Sequence, residues 1–205
     1  MLRALLSIAL ILFAVPAASQ TAPVPPPAPA PATTRVVMRT AMGDIVLAIE
    51  TERAPLTAAN FLRYVDARRY DGQPLYRAMT IGENSGLIQG GIRDSRRLYP
   101  PIAHEATTRT GLSHTDGAIS MARGALGSAR ADFFIIVGPD MVGLDAGPSS
   151  GGDGQGFAVF GRVVEGMDVV RRIRAAPVSA TAGEGAMRGE MLEPEIRILS
   201  VRRAP

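Results

Sequence analysis

The sequence predicts a mainly β domain: a barrel of about eight strands whose open ends are covered by two helices. Two observations carry that expectation. Short apolar runs punctuated by glycine recur through residues 35–201, the pattern of closely packed strands. Only two stretches carry apolar residues at helical spacing, and no period of fixed length runs through the chain, so a repeat architecture is not expected.

Arg35 to Ala41 and Asp44 to Glu50 alternate, with Val36 and Met38 in the first run and Ile45, Leu47 and Ile49 in the second. Met42-Gly43 between them reads as the turn of a two-strand hairpin. Pro55 suits a first helical turn, and Ala58, Phe61, Leu62 and Val65 follow at i, i+3, i+4, i+7 spacing, which gives a helix with one buried face. Asp71-Gly72 is expected to end it, and Leu75-Tyr76-Arg77 resumes extended chain. Ala118 to Arg123 and Asp132 to Val137 read as short strands; in the second, alternation sends Phe133 and Phe134 to opposite faces. Phe157 to Val170 is a strand that passes through Gly166 into a short helix bearing Val169, Val170 and Ile173. Glu195 to Arg203 closes the domain, with Ile196 and Ile198 expected on one side and Leu199 and Val201 on the other.

Three segments divide the chain of 205 residues. Residues 1–19 carry Arg3, an uncharged run from Ala4 to Val15 and the small-residue site Ala17-Ala18-Ser19, the layout of a secretory signal peptide. The run is too short for a bilayer, which takes about 20 apolar residues. No stable membrane insertion is therefore expected after cleavage. The expected location is the periplasm, with an inner-membrane tether through an uncleaved signal as the alternative. Residues 20–34 form a Pro/Ala-rich linker, with six prolines between Thr21 and Thr34, and run as an extended tether. Residues 35–205 make one domain, long enough for a single good-sized core.

Composition excludes several chemistries. The chain has no cysteine, which removes disulfides, thiol catalysis and thiolate metal sites and suits an exported protein. Every basic side chain is an arginine, the net charge is only +3, and the arginines are scattered, so a nucleic-acid surface is not expected. His104 and His114 are the only histidines and lack metal-ligand spacing. Ser113, Ser120 and Ser128 lack a G-x-S-x-G setting. Gly147 to Gly156 has no lysine and leads into a strand, so it reads as a surface loop rather than a phosphate cradle; Gly183 to Gly189 reads the same way. No metal or cofactor is expected.

The blocks GDIVLAIETERAPLTAANFLRYV, YDG, LYR, IQGG, GAISMAR, DFFIIV and FAVFGRVVEGMDVV follow one another as in the cyclophilin family of peptidyl-prolyl cis/trans isomerases, which the domain resembles over nearly all of residues 35–201. The resemblance implies a closed eight-stranded antiparallel barrel capped by two α-helices, with a peptide groove on one outer face. It implies a cofactor-free isomerase of proline-containing polypeptides, and with the signal-like segment the expectation is a monomer acting on exported chains. Arg77 stands where the family carries its catalytic arginine. Gln89 matches the glutamine that holds that arginine and the substrate carbonyl, and Phe134 the ring under the proline. Leu87 and Leu144 are implied as apolar walls, Phe157 as the rim, and Ala122 and Arg123 as the strand edge that pairs with the peptide.

Four departures accompany the match. The segment between Arg77 and Gln89 is longer here, through MTIGENSG; folded over Arg77 it would close the groove. Gly86 and Gly143 stand where large side chains are usual. Asp132 replaces a glutamine and is expected to pair with Arg77 or Arg123 in competition with substrate. These departures motivate an alternative, a non-catalytic proline-peptide-binding or chaperone module on the same barrel.

Overall fold

The structure is a computed structural model that describes residues 30–204 apart from Gly82, Asp140 and Ser149. The signal-like segment and residues 20–29 of the linker lie outside the described residues, and the linker's last two residues, Thr33 and Thr34, are paired in the first strand instead of running as a free tether. The strands are β1 (Thr33–Thr40), β2 (Gly43–Glu50), β3 (Pro74–Ile81), β4 (Ser85–Gly90), β5 (Ala118–Met121), β6 (Phe133–Val137), β7 (Ala158–Glu165), β8 (Val178–Ser179) and β9 (Met191–Arg203). The helices are α1 (Pro55–Asp66), α2 (Thr107–Thr110) and α3 (Met167–Arg174). The order β1-β2-β7-β5-β6-β4-β3-β9 is antiparallel throughout and closes on itself through β1–β9 pairing, with β8 a short addition to β9. Closure leaves the eight-stranded wall without an open edge.

Alternation along the strands fills this barrel. Phe61 on α1 meets Phe160 at 5.1 Å, Tyr70 at 5.2 Å and Phe133 at 5.9 Å between ring centroids. These rings join Ile45, Leu47, Leu75, Ile88, Ile119 and Ile198 in one fully buried core. The helix Ala58, Phe61, Leu62 and Val65 face is buried as its spacing predicts, and α3 buries Val169, Val170 and Ile173. The α1 N-terminus is held from far along the chain. Buried Glu105 accepts both the Thr57 N–H and the Thr57 hydroxyl at 2.7 Å, placing a carboxylate where the helix dipole and unpaired N–H groups favour one.

Four details differ from the expected pattern. The domain has a third helix, α2, a single turn ended by Gly111 at φ +68°; one turn of TTRT has no apolar periodicity to announce it. The α1 helix ends at Asp66, because Arg68 enters the left-handed region at φ +54° and Arg69 N–H returns to Tyr64 C=O. Asp71 instead pairs with Arg202. The first hairpin turns at Ala41-Met42, with Gly43 already paired to Thr40. In β9 the register shifts where Thr40 faces Ile198 and Arg39 faces Ser200. That extra residue is Leu199, so Ile198 and Val201 both face the core while Leu199 is 54% exposed.

The bulge and the core make contrasting predictions. Phe61→Ala should lower the unfolding free energy in urea by about 3–5 kcal/mol. Leu199→Ala, an equally apolar truncation in a strand, should change it by no more than about 0.5 kcal/mol.

Candidate active site

The β3–β4 hairpin pairs Leu75 with Gly90 and then Arg77 with Gln89, so Tyr76 and Arg77 together oppose one residue. This bulge keeps Leu75 and Ala78 in the core and turns Tyr76, Arg77 and Met79 to the other face. Beyond it the ladder continues through Met79–Leu87 to Ile81–Ser85. The longer MTIGENSG segment therefore extends the hairpin instead of folding over Arg77, and Ser85 C=O accepts Arg174 of α3 at 3.2 Å. Gly86 has no room for a side chain, since a Cβ there would lie 2.0 Å from the Met79 carbonyl oxygen.

Cross-strand pairing lines up Arg77, Gln89, Phe134, Ser120 and Val159 in one row over β3, β4, β6, β5 and β7. Directly opposed residues share a face, so this row lies on the side of the wall away from the core. Phe133 belongs to the interior cluster and Phe134 to a second one with Leu87, Ala118, Ile136 and Val159. Leu144, Phe157, Ala122, Met79 and Met141 pack against this second cluster. Phe157 meets Phe134 edge-on at 5.4 Å. Thus Arg77, Gln89, Phe134, Leu87, Leu144, Phe157 and Ala122 converge, although they come from six segments of chain.

The Arg77 guanidinium is fixed at the edge of that cluster. Its Nη1 donates to Gln89 Oε1 at 2.9 Å and its Nε to Glu190 Oε2 at 2.7 Å, while Nη2 lies in an ion pair 2.6 Å from the same Oε2. Gln89 Nε2 donates to the Tyr76 hydroxyl at 2.8 Å, which fixes the orientation of the amide. Two hollows adjoin the row: one of about 280 Å³ bordered by Gln89, Ala122, Arg123 and Met187, and one of about 820 Å³ bordered by Arg93, Glu184 and Met191. Tyr76 and Asp132 border both.

Three expectations about partners are corrected. Asp132 pairs with neither Arg77 nor Arg123. Its carboxyl faces the Tyr76 hydroxyl and Arg93, and burial raises its pKa above the usual carboxylate range despite both. Burial, followed by the Asp132 charge, likewise pushes the Tyr76 hydroxyl upward. The Arg123 side chain is engaged elsewhere: it grips Asp153 at 2.7 and 2.8 Å and Gly156 C=O at 2.7 and 2.9 Å. The Arg123 guanidinium lowers the Asp153 pKa to about 2 and lies 5.4 Å from the centre of the Phe157 ring. Ala122 donates its N–H to Asp132 C=O at 2.8 Å, so that donor is not open to a peptide strand.

His114 is another residue whose partners the sequence concealed. Its Nδ1 bonds Asp145, which also accepts the Ser113 hydroxyl, and its Nε2 meets Ser120 Oγ at 2.9 Å. The order Asp–His–Ser is that of a hydrolase triad, but His114 and Ser120 are both 0% exposed, so no substrate can reach the hydroxyl. The imidazole stacks on Phe134 at 5.8 Å and 11°. It thereby ties the ring to the turn that carries Leu144.

The outer wall of the closed barrel thus carries a fixed guanidinium at the edge of an apolar cluster. The family model described as "Cyclophilin type peptidyl-prolyl cis-trans isomerase/CLD" matches residues 35–203. The chain is 37% identical to peptidyl-prolyl cis-trans isomerase cyp18 of Streptomyces antibioticus over 72% of this chain and 87% of that one. It is 34% identical to peptidyl-prolyl cis-trans isomerase B of Escherichia coli over 81% and 97%. A Cryptosporidium parvum cyclophilin crystal structure superposes with a TM-score of 0.65 at 17% identity, covering 85% of this chain and 99% of that one. The chain belongs to the cyclophilin-type peptidyl-prolyl isomerase family.

Burial lowers the His114 pKa more than Asp145 raises it, so the folded protein binds fewer protons here than the unfolded chain. That contribution to stability is complete above the unfolded value of about 6.5 and is lost as pH falls through it toward the folded value. Urea unfolding at about pH 7.5 and 5.5 should show a larger acid loss for wild type than for His114→Gln. Equal losses would assign the acid sensitivity to other groups.

Proposed function

We propose that the domain accelerates cis/trans rotation about Xaa-Pro bonds, with Arg77 as the catalytic residue. The observation that carries this reading is the guanidinium fixed to Gln89 at the rim of the Phe134 cluster. Rotation about an amide must break resonance worth roughly 18–20 kcal/mol of barrier, and uncatalysed prolyl exchange takes tens to hundreds of seconds. No σ bond breaks, so no nucleophile is needed. As the bond twists, the prolyl nitrogen recovers a lone pair that the planar amide lacks. A donor held beside that nitrogen binds the twisted state better than either planar one, which is the condition for catalysis.

The surrounding residues fit complementary roles. The proline ring would rest on Phe134 between Leu87 and Leu144, with Phe157 at the rim. An amide NH₂ carries two donors, and Gln89 spends one on Tyr76; the other serves the carbonyl preceding proline. The chemistry calls for no cofactor, and one chain holds every group named. Proline-containing polypeptides in the exported space are the proposed clients, a reading supported by the signal-like residues 1–19 and the cysteine-free composition. Among the described residues no helix is long and apolar enough to cross a membrane. The binding-module alternative is favoured by one observation, the Glu190 carboxylate already seated on Arg77.

A protease-coupled assay on an Xaa-Pro peptide separates the two. Arg77→Ala should lose about 10²–10³ in kcat/KM while its circular dichroism and melting stay unchanged. A wild type that gives no acceleration over the uncatalysed rate would leave only the binding role. Fractionation of cells expressing the full chain tests location: release with the periplasm and a mature start near Gln20 is expected, and retention in the membrane would indicate the uncleaved tether.

A further inference from the structure

Resting on the isomerase reading, we infer that Glu190 is a positioning residue that fixes the roll of the Arg77 guanidinium and thereby selects which of its N–H groups meets the prolyl nitrogen. A guanidinium offers five N–H donors in a rigid plane. Glu190 Oε2 takes the Nε–H and lies 2.6 Å from Nη2, Met79 Sδ takes one Nη2–H at 3.5 Å, and Gln89 Oε1 takes one Nη1–H. Among the described residues these hydrogen bonds occupy three of the five. Of the two left, the second Nη1–H sits on the same nitrogen that Gln89 holds against the row containing Phe134.

The pair is more than a surface ion pair. The two side chains are 15% and 24% exposed, so solvent screens them less than an open pair. The base of Glu190 is also fixed. Its carbonyl accepts Ala78 N–H at 2.9 Å, its N–H donates to Met187 C=O at 3.1 Å, and the next residue, Met191, pairs with Arg77 itself. The loop before it closes through Gly189 N–H to Ala182 C=O at 3.0 Å. Gly183 turns that loop at φ +95°, where a Cβ would sit 2.4 Å from Met187 C=O. The segment that looked in sequence like a plain surface loop is thus a compact support for one carboxylate.

A positioning role differs from two others that the same contact could play. If Glu190 mainly neutralised Arg77, removing it would speed the reaction. If it were only structural, removing it would lower stability and leave turnover alone. Because the donor acts on the twisted state and not on bound planar peptide, loss of its aim should fall on kcat with KM little changed.

The test is kcat and KM for the full-length protein with an Xaa-Pro peptide, read beside the ¹H–¹⁵N signal of Arg77 Nε. Glu190→Ala should reduce kcat by about tenfold and bring the Nε–H into rapid exchange with water. Glu190→Gln keeps an oxygen acceptor without the charge and should stay within about threefold of wild type with a protected signal. Gly183→Ala, which alters the support and not the carboxylate, should lose kcat in the same sense. An increase in kcat for Glu190→Ala, an unchanged kcat, or equal losses in the Ala and Gln variants would each overturn the inference. Inactivity of wild type itself would instead refute the isomerase reading, so the two failures are distinguishable.

Discussion

Two residues of β3 stand opposite one residue of β4, and the site depends on that irregularity. In an unbroken pleat successive side chains alternate, so a strand with Leu75 in the core and Tyr76 outside would direct Arg77 back into the barrel. No interior of packed Phe61, Phe133 and Phe160 could take a guanidinium. The bulge puts Tyr76 and Arg77 on the same outer face, one on each side of Gln89, whose amide is satisfied at both ends. Ala78 then returns to the core and Met79 to the outer cluster. One inserted residue thus reconciles a filled barrel with an outward cation.

The closed wall gives this arrangement its stiffness. Phe134 is 4% exposed, yet it belongs to the outer cluster, so it is a floor supported from behind by the sheet and from the side by His114. The imidazole is clamped between Asp145 and Ser120, which leaves it few orientations and makes its stack on Phe134 a mechanical support. Burial withholds the Ser120 hydroxyl from any substrate, so the chain of hydrogen bonds serves to hold the ring.

Much of this was legible in the chain because local periodicity reports which face a residue takes. The first hairpin, the α1 face and the opposite fates of Phe133 and Phe134 all follow from spacing of two or of 3.6 residues. Periodicity fails where a bulge changes its phase, as at Leu199, and where a turn is too short to have a period, as in α2. It says nothing about side-chain partners. Arg77 and Glu190 are 113 residues apart, and Arg123 and Asp153 are 30 apart. The expectation that Asp132 would take one of those arginines rested on the place the family resemblance gives that position, and the closed fold supplied better-placed carboxylates in Glu190 and Asp153. His114 looked isolated for the same reason, with Asp145 31 residues further on.

These pairings also determine what kind of field a peptide meets. Arg77 has Glu190 and Arg123 has Asp153, while Arg93 lies 4.7 Å from the centre of the Tyr76 ring and near Asp132. Each of these three arginines is therefore close to a carboxyl group. Opposed charges a few ångströms apart cancel at distances comparable to the Debye length of about 8 Å in physiological salt. Beyond that range each of these pairs contributes little net charge. At hydrogen-bonding range the cancellation fails, because a guanidinium N–H points in a direction that a neighbouring carboxylate does not erase. In the proposed reaction the site would act through the orientation of a donor rather than through attraction of a cation, which suits a substrate that gains a lone pair at the twisted bond without gaining net charge.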